Sequence, residues 1–171
     1  MEYLRRLPGH WRPWILLVEK TMSIVLLRGP KRPNGVYRDQ VEIDRLLLVR
    51  LIIRANRAGR RIAVRNLSSD KAMIAAIEAQ QASQTEAILL DTGACVRDRR
   101  IHNALQACRL PYVEIRPSHL TDARLCEPEG IENRIALVRG VQSQTYMLAL
   151  SIALEHLGRE AGLMPRDAMA S

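Results

Sequence analysis

The sequence predicts an α/β fold in which a five-stranded parallel sheet is covered by helices on both faces. Three observations carry this. Short apolar runs alternate with longer segments of helical periodicity five times along 171 residues. Each run ends in a glycine, proline or small-residue turn, which is how a parallel strand feeds a crossover helix. Phe is absent and aromatics make up only 4% of the chain, so the core draws on Leu, Ile, Val, Ala and Met, which suits helices packed on a sheet.

The elements follow in order. Residues 1–21 differ in composition from the rest, with both Trp residues and one brief apolar patch, Trp14-Ile15-Leu16-Leu17-Val18. They read as an N-terminal extension, either a surface arm or one that docks on a neighbouring subunit. Ser23-Ile24-Val25-Leu26-Leu27-Arg28 is a continuous apolar run stopped by Gly29-Pro30, the mark of a buried strand. A basic loop leads to Tyr37. Val41, Ile43, Leu46, Leu47, Val49, Leu51, Ile52 and Ile53 then mark a helix that is apolar on more than one side and is expected to be well covered.

Gly59 closes that helix, and residues 61–65 alternate into a second strand. Residues 66–70 offer caps for a helix carrying Met73, Ile74 and Ile77. The stretch Glu86-Ala-Ile-Leu-Leu-Asp-Thr-Gly-Ala-Cys-Val-Arg97 is a third strand that delivers Asp91 and Arg97 to the sheet edge. Residues 99–109 form a third helix, residues 112–115 a fourth strand broken by Pro117, and residues 120–133 an irregular connection. Residues 134–140 supply a fifth strand and residues 143–157 a last helix. Its inner face is Tyr146, Ala149, Leu150, Ala153, Leu154 and Leu157, and Gly158 is its expected stop. The domain is thus drawn at 22–160, with a tail at 161–171.

This alternation implies a flavodoxin-like strand order, in which ligands sit beyond the carboxyl ends of the strands near the switch in order. The loops at 29–38, 91–98 and 116–125 are therefore the ones to search. A net charge of +8, carried almost wholly by arginine, favours a small anionic partner. Scattered arginines and few aromatics argue against nucleic acid. Cys95, Cys108 and Cys126 form no CxxC pair, no apolar run reaches membrane-spanning length, and a cytoplasmic setting is expected. No glycine-rich phosphate loop or metal-ligand spacing occurs, so no cofactor and no metal are expected.

At those loops the chain resembles the type II 3-dehydroquinate dehydratases over roughly residues 22–157. The resemblance rests on Ile24-Val-Leu-Leu-Arg-Gly-Pro30, residues 70–77, Thr92-Gly-Ala94, Val113-Glu-Ile115 with Ser118, and Gly140-Val-Gln-Ser-Gln-Thr-Tyr-Met-Leu-Ala-Leu150. It implies a flavodoxin-like lyase of the shikimate-pathway kind, assembled as a trimer or dodecamer. It further implies a loop tyrosine that abstracts an α proton with help from a neighbouring arginine, and a histidine that protonates the departing hydroxyl. Tyr37 with Arg32 stands where the base half belongs, and Glu114 where the family holds a buried glutamate.

The acid half departs from the pattern. The family's Glu-Val-His-Leu-Ser-Asn reads Glu114-Ile-Arg116-Pro117-Ser118-His119, and an arginine does not give up its proton at neutral pH. The asparagine after the third strand is Asp91, the histidine beyond it falls at Arg97 or Asp98, and Arg124 matches only the arginine preceding the substrate clamp. Asp91 is expected to repel an anion unless Arg97 or Arg116 pairs with it. Three readings follow. One is a diverged lyase with Tyr37, Arg32 and Glu114 as catalytic residues and Asp91, Arg97, Arg116, Ser118, His119 and Arg124 around an anionic carbonyl substrate. The others are a non-catalytic paralogue that binds an anion or a protein partner, and a genuine dehydratase in which His119 replaces the lost acid.

Overall fold

The computed structural model describes residues 23–31, 43–95, 98–117, 132–140 and 142–163. Five strands, β1 (Ser23–Arg28), β2 (Arg61–Asn66), β3 (Thr85–Asp91), β4 (Tyr112–Pro117) and β5 (Arg134–Gly140), form one sheet in the order β2-β1-β3-β4-β5, with every pairing parallel. Among the described residues four α-helices accompany them: α1 (Arg45–Arg57), α2 (Asp70–Gln81), α3 (Arg99–Cys108) and α4 (Gln142–Leu163).

The helices divide between the faces. Leu47 and Leu51 of α1 and Tyr146, Ala149, Leu150, Ala153, Leu154 and Leu157 of α4 pack with Ile24, Leu26, Ala87, Leu89, Val113 and Ile115. On the other face, Met73, Ala76 and Ile77 of α2 and Ile101, Ala104 and Leu105 of α3 pack with Val25, Leu27, Ile88, Leu90 and Tyr112. Strand side chains alternate between faces, so the apolar runs of the inner strands β1, β3 and β4 are buried on both sides and read as nearly unbroken hydrophobic strings, while the edge strands β2 and β5 are only partly covered. The architecture is a flavodoxin-like three-layer α/β/α sandwich, as the alternation of elements predicts.

Local chemistry sets the helix starts. Asp44, Ser69 and Asp98 each precede a helix and accept a hydrogen bond from a first-turn N–H, at 3.4 Å from Leu46, 3.1 Å from Ala72 and 2.9 Å from Arg100 respectively. Gly59 follows α1 with φ +70°, a conformation that favours glycine.

Two expectations need correction. The last helix does not stop at Gly158 but continues to Leu163. A glycine inside a helix costs only about 1 kcal/mol relative to alanine, and the good helix formers that follow it carry the helix on. The first helix is not covered all round either: Leu46 is 65% exposed, Val49 43%, Ile52 38% and Ile53 45%. Its core face is Leu47, Leu51 and Ala55, one stripe of three.

Candidate functional site

In this strand order the switch lies between β1 and β3, where the chain leaves β1 toward one side of the sheet and β3 toward the other. The two strand ends are tied together by backbone. The Gly29 N–H donates to the Asp91 carbonyl at 2.7 Å, and the Ala94 N–H donates to that of Pro30 at 2.7 Å. This approach demands glycine. A Cβ on Gly29 would lie 2.3 Å from the Thr92 oxygen, and one on Gly93, which has φ +54°, would lie 2.5 Å from the Pro30 oxygen.

Asp91 closes β3 and is buried. Its Oδ1 accepts from the Gly93 N–H at 3.1 Å, and its Oδ2 accepts a short hydrogen bond from the Tyr146 hydroxyl. The same hydroxyl accepts from Arg28 Nε at 3.2 Å, while Arg28 Nη1 donates to Asn66 Oδ1 at 2.9 Å. The Arg28 guanidinium also stands 5.6 Å from the centre of the Tyr146 ring. One cluster, buried at Arg28, Asp91 and Tyr146 and exposed at Asn66, therefore joins the ends of β1, β2 and β3 to the beginning of α4.

Burial raises the Asp91 pKa above the ordinary carboxylate range, against the pull of the Tyr146 hydrogen bond and of the Arg28 charge. Burial, followed by the Asp91 charge, also pushes the Tyr146 phenol well above its usual value. Tyr146 thus stays protonated at neutral pH and serves Asp91 as a donor.

The expected pairing of Asp91 with Arg116 does not occur, and alternation is the reason. Asp91 follows Ala87 and Leu89 on the α1/α4 face, whereas Arg116 follows Tyr112 on the α2/α3 face. Asp91 lies opposite Ile115 in the register, so Arg116 is one residue further along and turned the other way. The other expected partner, Arg97, lies outside the described residues. So do Arg32, Tyr37, Ser118, His119 and Arg124.

Arg116 is committed to Glu114 instead. Its Nε donates to Glu114 Oε1 at 2.7 Å, and Arg134 Nη1 on β5 donates to Oε2 at 3.1 Å. Both members of the Glu114–Arg116 pair are buried. Each Glu114 oxygen thereby accepts from one guanidinium group, but the buried Nη1 of Arg116 has no hydrogen-bond partner among the described residues. The Tyr112 hydroxyl, two residues below Glu114 on the same face, is likewise unpartnered, and burial raises its pKa.

Of the predicted site residues, Asp91, Glu114 and Arg116 thus reach the carboxyl edge of the sheet, with the last two on the face opposite the first. Arg28, Asn66, Tyr146 and Arg134 complete these clusters, and no motif in the sequence singles them out. A signal for Arg28 exists: it occupies the third position of the face that begins with Ile24 and Leu26, where a charged group needs a buried partner. Among the described residues, no three His, Cys, Asp or Glu side chains gather closely enough to hold a metal ion, and no helix is long and apolar enough to cross a membrane.

A flavodoxin-like sheet with polar clusters at its carboxyl edge defines the class, an α/β protein whose ligand site is expected beyond the strand ends. Within that class, the fold is that of the type II dehydroquinases. The type II dehydroquinase of Propionibacterium acnes superposes with a TM-score of 0.59 at 22% identity, covering 79% of this chain and 99% of that one. That of Butyrivibrio crossotus gives 0.59 at 16% identity, covering 78% and 97%. A 3-dehydroquinate dehydratase-like protein from Bifidobacterium longum gives 0.54 at 14%, covering 81% and 99%. No protein-family model matches the sequence, and no curated protein matches it.

Proposed function

We propose that this chain is a lyase of the type II dehydroquinase kind whose acid half has been exchanged, acting on a small anionic carbonyl compound other than dehydroquinate. In this reading Tyr37, assisted by Arg32, removes the proton α to the carbonyl. Arg116, with Arg97, holds the negative charge of the substrate or of the enolate that forms. Glu114 orients Arg116, and Ser118, His119 and Arg124 line the remainder.

One observation supports the reading: Arg116, which the sequence resemblance aligns with the family's acid, is held by Glu114 at 2.7 Å and keeps a buried Nη1 with no hydrogen-bond partner among the described residues. A buried guanidinium N–H left unsatisfied in the protein is costly, and a carboxylate or enolate oxygen would satisfy it. Asp91 does not oppose this, because Tyr146, the Gly93 N–H and Arg28 compensate its charge on the other face of the sheet. An arginine held by a carboxylate stabilises an anion but does not protonate a departing hydroxide. The chemistry expected is therefore proton abstraction followed by departure of a β substituent that leaves as a stable anion without being protonated, such as a carboxylate or phosphate, and no dehydration of a β-hydroxy ketone.

The experiment separates base from acid. In D2O the base alone exchanges the α protons of bound 3-dehydroquinate and related cyclic oxo-carboxylates, which proton NMR follows as loss of signal. Elimination is followed by absorbance of the conjugated enone. The reading requires exchange without enone from the wild type and neither from Tyr37→Phe. Rapid enone formation would make the protein a genuine dehydratase. The loss of the family's histidine favours a second reading, an anion-binding paralogue without catalysis; carboxylate binding in calorimetry with no exchange by the wild type would establish it.

A further inference from the structure

Helix α1 turns apolar surface outward as well as inward. Leu47, Leu51 and Ala55 face the core, whereas Leu46, Val49, Ile52 and Ile53 are exposed. At about 3.6 residues per turn, Leu46, Val49 and Ile53 fall opposite the core stripe and crown the helix as a ridge. Arg50, Arg54 and Arg57 run along one flank of that ridge, and Arg45 stands with Ile52 on the other. An apolar patch rimmed by charge marks an interaction surface.

The charge on this helix is unopposed. From Arg45 to Asn66 the sequence holds seven arginines and no acid, so nothing within the segment neutralises it. Arg60 is paired with Glu86 from β3 at 3.2 Å. Arg45, Arg50, Arg54 and Arg57 are exposed, and among the described residues no acid meets them. Asp44, the acid next to the helix, caps its first turn. Whatever covers the ridge therefore has to be apolar in the middle and anionic beside it.

That requirement separates the possible occupants. A second copy would bring the same arginines to both flanks, so α1 packed on α1 in either direction sets guanidinium against guanidinium. A nucleic acid would meet the arginines but press its phosphates on the aliphatic ridge. An acidic amphipathic helix of a partner protein lays its apolar face into a groove, and a ridge is the opposite shape. An anionic bilayer needs no matching groove. Its boundary between headgroups and acyl chains takes up the aliphatic crown, while the arginines extend along it to the phosphates.

We propose that α1 is a reversible contact for anionic membrane surfaces, in which Leu46, Val49 and Ile53 enter the bilayer interface and Arg45, Arg50, Arg54 and Arg57 bind lipid phosphates. The contact is independent of the Glu114–Arg116 cluster, which lies on the other face of the sheet.

The test is co-sedimentation of the full chain with vesicles of phosphatidylcholine, alone or mixed with phosphatidylglycerol. The wild type should bind the mixed vesicles and not the neutral ones. Each arginine at such a surface contributes roughly fivefold to binding, so Arg54→Gln with Arg57→Gln should weaken it by on the order of tenfold or more. Val49→Asn with Ile53→Asn should weaken it severalfold. Arg61→Gln with Arg65→Gln removes the same charge from β2, where these exposed residues alternate with Ile62 and Val64 of the α1 face and so point the other way; this control should bind nearly as the wild type does. Equal loss from both arginine pairs overturns the proposal in favour of adsorption by net charge, and binding that survives the Arg54 and Arg57 substitutions places the contact elsewhere and overturns it too. Undiminished binding by the aliphatic variant rules out entry of the ridge. Retention on immobilised poly-glutamate with no binding to mixed vesicles assigns the face to an acidic protein instead. If the aliphatic variant does not fold, amide exchange of the wild type decides: it should slow at residues 45–57 on mixed vesicles, and unchanged exchange there sinks the idea.

Discussion

The Tyr146 hydroxyl donates to Asp91 Oδ2 across 55 positions of sequence, joining the beginning of α4 to the end of β3. The same oxygen accepts from Arg28 at the end of β1. A single phenol therefore couples the two strands that flank the switch point to the helix that covers them.

Tyr146→Phe removes the donor to Asp91 and the acceptor for Arg28 Nε while leaving the ring in place. Two buried charged groups each lose a partner, and leaving one such group unsatisfied costs about 1–3 kcal/mol. Urea denaturation should show a loss of about 2 kcal/mol with an unchanged m-value. A loss below about 0.5 kcal/mol would mean that the cluster is held without Tyr146.

Asp91→Asn tests the charge rather than the bonds, because an amide still accepts from the Gly93 N–H and still pairs with the Tyr146 hydroxyl. The folded Asp91 has a raised pKa, chiefly from burial. Above the unfolded value, about 3.9, the folded state retains a proton that the unfolded chain has released. Wild-type stability therefore falls as pH rises through that window, until the folded carboxyl has also ionised. The amide does not titrate, so the stability difference should move in favour of the variant as pH rises from 4 toward 7 and flatten beyond the folded pKa. A flat or opposite trend in denaturation midpoints across that range refutes the raised pKa.

Much of this is legible in the sequence, and the misses have physical causes. Uninterrupted apolar runs, each closed by a turn, specify buried parallel strands, because both faces of such a sheet are covered. Gly158 misleads because glycine is also tolerated inside a helix at modest cost. The expected pairing of Asp91 with Arg116 fails because nearness along one edge ignores the period of two that separates them. Tyr146 reads as one more apolar residue on an inner helix face, and nothing in that spacing says that its hydroxyl meets Asp91. The partners of Glu114 are half visible: Arg116 lies two residues along the same strand, but Arg134 comes from β5 and needs the register.

The glycines at the strand ends should differ sharply from the one after α1. Gly59 has φ +70°, but a Cβ added to it would meet no atom within 4 Å, so Gly59→Ala carries only the left-handed backbone strain, about 1 kcal/mol. Gly93→Ala adds a backbone clash with Pro30 to similar strain, and Gly29→Ala drives a Cβ against the Thr92 carbonyl. Overpacking adds about 1–3 kcal/mol, so Gly93→Ala should cost about 3 kcal/mol and also loosen the loop pairing seen in the bond from Ala94 to Pro30. Equal melting points for the Gly59 and Gly93 variants would contradict this close approach.

Glu114 is the strongest test of how the candidate site is built. It neutralises Arg116 and Arg134 together, and the Arg116 side chain is only 6% exposed. Removing one partner of a buried ion pair costs about 3–5 kcal/mol because the remaining charge is left uncompensated. Glu114→Ala should therefore lower the melting temperature by about 10 °C, taking roughly 2–4 °C per kcal/mol for a chain of this size. Arg116→Met leaves Glu114 paired with Arg134 and fills the space with a flexible apolar chain, so it should cost much less. Calorimetric binding of small cyclic carboxylates should respond in a different order. Arg116→Met should abolish binding in a protein that still melts near the wild-type temperature. Binding that survives Arg116→Met would remove Arg116 from the anion site, and a Glu114→Ala protein as stable as wild type would show that neither arginine depends on that carboxylate.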